Sequence, residues 1–153
     1  MDGQKRIALS AHDAMKPALA AWSFANERLL SPHALTATGN TGRVIMQATG
    51  LDVQCLRSGA LGGDMELGAI IADGRIDILI LWADPVTRQP HEIDPSPLLR
   101  ISAVAEIVVA TTETTADFVV RSDLMGRPYA RRQSAPALPA VLQRLDTERT
   151  GRA

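Results

Sequence analysis

The chain has 153 residues, a formal net charge of −1 and 3% aromatic residues. It is long enough for one domain that buries its own core, while the near-neutral charge and scarce aromatics argue against a general binder of nucleic acid or anionic membrane. A single cysteine, Cys55, excludes an intramolecular disulfide framework. No 18-residue apolar run marks a membrane span and MDGQKRIALS does not read as a signal peptide, so a cytoplasmic location is expected.

Short apolar runs alternate with helix-length segments. RIALSA (6–11) reads as the first strand. A helical pattern over 14–30 then puts Leu19, Trp22, Asn26 and Leu29 along one side, with Asp13 as the expected cap and Pro17 in the first turn, where a missing N–H matters least. HALTAT (33–38) is the second strand, followed by a helix over 41–49 that groups Val44, Ile45 and Ala48. VQCL (53–56) is the third strand; the helix after it, 64–73, groups Leu67, Ile70 and Ile71 and ends at Gly74, which suits a left-handed stop. IDILILW (76–82) precedes a helix over 96–105 grouping Leu98, Ile101 and Ala105, and EIVVAT (106–111) precedes a last helix over 114–121. Several strands are apolar on consecutive positions, as strands covered on both faces are. The alternation predicts a single α/β domain: a doubly wound, mostly parallel five-stranded sheet with helices on both faces and right-handed crossovers. From Asp123 onward the pattern fails. The stretch 123–153 is rich in Arg, Pro and Ala, with a short helical piece near 138–145 and a frayed end expected.

Ligands of open α/β sheets bind outside the carboxyl ends of the strands. Four consecutive loops put polar residues there: His12, Asp13 and Lys16 after the first strand, TGNTG (38–42) after the second, SGALGGD (58–64) after the third, and Asp84, His91 and Asp94 after the fourth. TGNTG has the chemistry of an anion cradle at a helix N-terminus, and equally that of an ordinary capped turn. It is neither a Walker A loop nor a dinucleotide fingerprint. Lys16 in a first helical turn opposes the helix dipole unless an anion sits there too. Beside TGNTG and Ser58–Gly59, a phosphate explains it better than a solvated surface lysine. The histidines and acids show no HxH or HExxH spacing, so no metal is expected. Cys55 reads as a small buried apolar residue, and Trp22 and Trp82 as core or interface residues.

In order, AHDAMK, TATGNTG, LRSGALGGDMELG, WADPVTRQPHEID and ATTETTADFVV resemble the methylglyoxal synthase family, from Lys5 to Ser122. The resemblance implies a carbon–oxygen lyase that converts dihydroxyacetone phosphate to methylglyoxal and inorganic phosphate, a glycolytic bypass. It also implies no cofactor, a homohexamer, and inhibition by phosphate. By position, Asp64 would be the base that takes a proton from the carbon alpha to the carbonyl. Lys16, Thr38, Gly39, Asn40, Thr41, Ser58 and Gly59 would hold the phosphate. His12 and His91 would contact the carbonyl and hydroxyl end, supported by Asp13 and Asp94. Asn40 stands where a Thr is common, Ala83 where a bulky aromatic is usual, and Glu92-Ile93 interrupt the usual His-Asp-Pro-Asp run. Residues 1–122 would form the family's core, with 123–153 a divergent segment packing on that core or on a neighbouring subunit. Family members carry a C-terminal Arg into a neighbour's phosphate site, and Arg144 and Arg149 are both candidates.

Under this reading the SGALGGD stretch serves deprotonation. A carboxylate must reach the proton alpha to the ketone, donors must meet the enediolate charge, and glycines 59, 62 and 63 would let the backbone press against substrate. The bland alternative makes Asp64 the cap of its own helix. Two other functions remain open on the sequence. One is a non-catalytic phosphate- or nucleotide-binding module, since the fold also serves as the regulatory domain of carbamoyl phosphate synthetase and in inosine monophosphate cyclohydrolase. The other is an isomerase-like enzyme on another sugar phosphate.

Overall fold

The computed structural model describes residues 1–84, 86 and 94–131. His91 and the candidate arginines Arg144 and Arg149 lie outside the described residues, as do the helical piece at 138–145 and the chain end. Five strands, β1 (Arg6–Ala11), β2 (Ala34–Ala37), β3 (Val53–Cys55), β4 (Ile78–Trp82) and β5 (Val108–Ala110), form one sheet in the order β3-β2-β1-β4-β5. All four pairings are parallel. The helices are α1 (Lys16–Ala25), α2 (Glu27–Leu30), α3 (Gly39–Thr49), α4 (Gly63–Ala72), α5 (Ser96–Val104) and α6 (Glu113–Val120).

Alternating strand side chains feed two apolar layers, because successive Cβ atoms point to opposite faces of a sheet. Ile7, Leu9, Leu35, Ile78, Ile80 and Trp82 pack with Leu19, Trp22, Ile45, Ala116 and Val120, so α1, α3 and α6 cover one face. Ala8, Leu79 and Leu81 pack with Leu67, Ile71 and Leu98, so α4 and α5 cover the other. The doubly wound parallel arrangement is the one expected. Trp22 and Trp82 are both core residues, meeting edge to face with ring centroids 5.8 Å apart. Gly74 adopts φ 70° after α4, as its expected left-handed stop requires.

Several local expectations need correction. The helix expected over 14–30 is a 3-10 turn at Asp13–Met15, then α1, then the single turn α2. Asn26 breaks it at φ −110° and ψ 16°, its side-chain amide donating to the Trp22 carbonyl at 3.0 Å while its Oδ1 accepts from Arg121 at 3.0 Å. The break turns the following residues, so Leu30 is buried and Leu29 is exposed. Asp13 caps neither piece through its side chain: it pairs with the Lys16 ammonium, and Met15 is the N-cap of α1. Ala48 lies exposed on the outer side of α3, away from buried Ile45. Cys55 is exposed, because β3 is a three-residue edge strand in which only Val53 is buried.

Residues 123–131 pack back onto the sheet. Met125 is buried in the first apolar layer, and the Met1 and Tyr129 backbones exchange hydrogen bonds. Lys5, 2% exposed, donates its ammonium to the carbonyls of Asp2 and Arg127. Arg131 binds the carboxylate of Asp77, which is fully buried, and donates to the Ile76 carbonyl at 2.9 Å.

Candidate active site

Chain direction reverses its walk across the sheet between β1 and β4. The connection leaving β1 runs over the face covered by α1, and the one leaving β4 runs over the face covered by α5. A crevice therefore opens outside the carboxyl ends of these strands. There the structure forms a cleft of about 100 Å³, built by the loops after β1, β2 and β3.

The first wall is the end of β1 and the turn after it: Ser10, Ala11, His12, Asp13 and Lys16. The His12 amide donates to the Trp82 carbonyl at 3.0 Å, prolonging the β1–β4 ladder by one rung and setting the imidazole at the rim. His12 Nδ1 accepts the backbone N–H of Asp84 at 3.2 Å. A ring nitrogen that accepts carries no proton, so the neutral ring carries its hydrogen on Nε2. Lys16 is the first residue of α1, with its ammonium bound to the Asp13 carboxylate. That carboxylate supplies an anion at the helix start, so the dipole argument alone does not demand a phosphate. What favours one is the position of Lys16, whose ammonium has three N–H donors, in the same cleft as the second wall.

That second wall is Thr38 and Asn40, at the end of β2 and the start of α3. Thr38, extended at φ −62° and ψ 142°, is the N-cap of an 11-residue helix whose N-terminal end faces the cleft. Its hydroxyl donates to Thr41 Oγ1 at 3.2 Å and lies 3.4 Å from Ser10 Oγ. Gly39 and Thr41 stand behind this wall. The Gly39 amide donates to the Arg57 carbonyl at 2.9 Å, and a Cβ there would come within 2.8 Å of the Leu56 oxygen. Thr41 is 1% exposed. Gly39 thus joins the second loop to the third, and Thr41 holds Thr38.

The third wall is Ser58, Gly59 and Ala60. The Ser58 carbonyl accepts from Leu61 at 2.9 Å and from Gly63 at 3.0 Å, folding the 3-10 turn Gly59–Leu61 tightly against the start of α4. The expected role of the glycines changes here. Gly62 is needed for its φ of 87°, although a Cβ at that position would meet nothing within 4 Å, and Gly63 because a Cβ would fall 2.0 Å from the Arg57 oxygen. Both requirements lie within the chain rather than toward a ligand.

Asp64 is the second residue of α4, half-buried and outside the lining of this cleft. The capping alternative does not hold: the N-cap is Gly62, with no side-chain cap bond. The Asp64 carboxylate makes no hydrogen bond or ion pair among the described residues. Asp94, also outside the lining, accepts from the Ser96 amide at 3.0 Å and the Ser96 hydroxyl at 2.6 Å, steadying the start of α5. The cleft thus unites His12, Asp13, Lys16, Thr38, Asn40, Ser58 and Gly59, and leaves Gly39, Thr41, Asp64 and Asp94 outside its lining. Sequence reasoning missed Ser10, Ala11 and Ala60. Ser10 had a usable signal, a lone hydroxyl near the carboxyl end of a strand that is apolar from Ile7 to Leu9. Among the described residues no group of three or more His, Cys, Asp or Glu could hold a metal ion.

Comparison with known proteins identifies the family and the fold. Residues 20–111 match the MGS-like domain family. The methylglyoxal synthases of Yersinia pestis and Yersinia pseudotuberculosis are 50% identical to this chain over 121 residues, covering 79% of each protein. The crystal structure of methylglyoxal synthase from Elizabethkingia anophelis NUHP1 superposes with a TM-score of 0.88 at 37% identity, covering 94% of this chain and 93% of that one.

Proposed function

The chain belongs to the methylglyoxal synthase family and is a carbon–oxygen lyase acting on a phosphate ester, and from that premise we propose how its residues turn dihydroxyacetone phosphate into methylglyoxal and inorganic phosphate. The observation that carries the proposal is the cleft in which His12, Lys16, Thr38, Asn40, Ser58 and Gly59 converge from three loops.

The phosphate sits at the start of α3, where backbone N–H groups and the helix dipole favour an anion. Lys16, Thr38, Asn40, Ser58 and the Gly59 amide surround it, with Gly39 and Thr41 fixing the wall behind. Asp64, uncommitted among the described residues, removes the proton alpha to the carbonyl. Charge then develops on the carbonyl oxygen, where the Nε2–H of His12 meets it, in concert with His91; donors aimed at developing charge are the usual large contributor to such barriers. Asp13 and Asp94 orient the groups around them, Asp13 through Lys16. Elimination follows when the C–O bond to phosphate stands out of the enediolate plane, overlapping its π system. An isomerase holds that bond in the plane, so the grip on phosphate also selects the product.

The test is a product assay with purified protein and dihydroxyacetone phosphate, no metal added. Methylglyoxal and phosphate released in equal amounts are expected. An aldose phosphate in their place, or binding without turnover, would sink the assignment.

Inhibition by phosphate belongs to the same proposal, since product and substrate share the cradle. So do a homohexamer and a cytoplasmic location. Assembly is supported by large apolar side chains standing exposed, Phe24 at 62% and Phe118 at 79%. Light scattering that gives the mass of one chain at micromolar concentration would remove the hexamer. No described helix is long and apolar enough to cross a membrane.

A further inference from the structure

Ile7, Ala8 and Leu9 of β1 are fully buried and apolar. The next residue, Ser10, is 9% exposed and brings a hydroxyl into that setting. A buried hydroxyl is costly unless it is hydrogen-bonded. The partner of Ser10 among the described residues is Thr38, oxygen to oxygen at 3.4 Å, and Thr38 donates onward to Thr41 at 3.2 Å. A hydroxyl has one proton and two lone pairs. Because the Thr38 proton goes to Thr41, the contact between Ser10 and Thr38 uses the Ser10 proton. Ser10 is therefore the first donor of a chain of three hydroxyls that starts in the lining of the cleft, at Ser10 and Thr38, and ends behind it at Thr41.

The geometry points to Ser10 as a positioning residue for the phosphate cradle, donating to Thr38 Oγ1 so that the Thr38 hydroxyl presents its own proton to a phosphate oxygen. This rests on the reading that Thr38 binds the substrate phosphate. When Thr38 turns its proton to the anion it releases Thr41 as an acceptor, and its two lone pairs then take protons from Ser10 and from Thr41. An oxygen that accepts hydrogen bonds becomes a stronger donor in turn. At 3.4 Å the contact is longer than the ~2.7–2.8 Å of a tight O–H···O bond, so it has room to shorten as the Thr38 hydroxyl becomes polarised. No covalent step is involved; Ser10 acts on affinity through Thr38.

The experiment measures inorganic phosphate affinity by calorimetry, with KM and kcat for dihydroxyacetone phosphate, in the full chain and in Ser10→Ala, Ser10→Thr, Thr38→Val and the Ser10→Ala/Thr38→Val double variant. Ser10→Ala should weaken phosphate roughly 3- to 10-fold and raise KM in step, the scale of one hydrogen bond, with kcat changed less than about two-fold. Ser10→Thr, which keeps the donor, should restore affinity. In the Thr38→Val background Ser10→Ala should have no further effect. Ser10→Cys, nearly isosteric but a weak donor, makes the same comparison if alanine impairs folding. Unchanged affinity in Ser10→Ala alongside a weakened Thr38→Val overturns the inference and leaves the cradle standing. A Ser10→Ala effect that persists in the Thr38→Val background also overturns it, since Ser10 would then touch the anion itself. Wild-type affinity in Thr38→Val overturns the cradle reading beneath it.

Discussion

Asp64 and Lys16 carry opposite charges at opposite ends of the proposed reaction, and each has its own signature. The Asp64 carboxylate takes no part in capping α4, so its loss should leave the fold intact. Asp64→Asn should lower the melting temperature by no more than about 3 °C, the loss of an acid from the first turn of α4, and lower kcat by ~10²–10⁴, the usual contribution of a positioned base. Stopped-flow or end-point methylglyoxal assays with parallel thermal melts check both halves. Lys16→Met removes the cation from the cleft and from the first turn of α1, where the dipole does not favour it. Phosphate should bind ~10- to 100-fold more weakly, the scale of a charge-assisted hydrogen bond. Stability should barely move, because the pair lost with Asp13 lies at an exposed carboxylate, 62% accessible.

At the scale of elements, the 3-10 turn between β3 and α4 decides where the third wall stands. Two adjacent glycines there answer different demands, and their substitutions should differ accordingly. Gly62→Ala meets no neighbour within 4 Å but must hold φ 87°, which costs an L-residue about 1–2 kcal/mol. Gly63→Ala puts a methyl 2.0 Å from the Arg57 carbonyl oxygen, a backbone atom that cannot yield without moving the turn. Urea unfolding should show the larger loss for Gly63→Ala, with phosphate affinity falling as well because Ser58 and Gly59 shift. Equal losses with unchanged affinity would show that the turn is not what sets the wall.

Across the whole molecule, the end of the sheet away from the cleft, where β1 and β4 begin, is tied together by Asp77. Its carboxylate accepts from the Arg6 amide at 3.0 Å and from the Arg6 guanidinium at 3.0 and 2.8 Å, and also binds Arg131. Burial pushes its pKa up, but these hydrogen bonds outweigh it and hold the group at about 2, below the usual 3.8. A depressed acid contributes stability that is complete above pH 3.8 and lost as pH falls toward 2, about 2 kcal/mol in all. His33 acts at milder pH. Burial first, and then the charge of Lys5, lower its pKa from 6.5, and its Nδ1 accepts the Lys5 amide at 3.2 Å. Its neutral form contributes stability present above pH 6.5 and lost as pH falls below it. Urea titrations across pH should therefore show two descending limbs on acidification, the first beginning near 6.5 and the second near 3.8. Asp77→Asn should abolish the second and cost about 2–4 kcal/mol at pH ~7, since two arginines lose their buried partner.

Much of this was legible in the linear order of residues, because it depends on local chemistry and on period. Consecutive apolar runs separated by helical stripes demand strands covered on both faces, and the parallel sheet follows. The loops that follow its strands must then share its carboxyl end, so His12, Lys16, Thr38, Asn40, Ser58 and Gly59 could be assigned to a common site in advance. What needed tertiary structure is whatever depends on a partner distant in the chain. Edge or centre is a property of the assembled sheet, and it left Cys55 exposed. The Asn26 break, held by Arg121 from across the fold, exchanged Leu29 for Leu30. The Asp84 amide selects the His12 tautomer, Arg57 explains Gly63, and Thr38 gives the Ser10 hydroxyl its place. Each is a short-range contact between residues apart in sequence, and such contacts exist only once packing has closed the loops that bring them together.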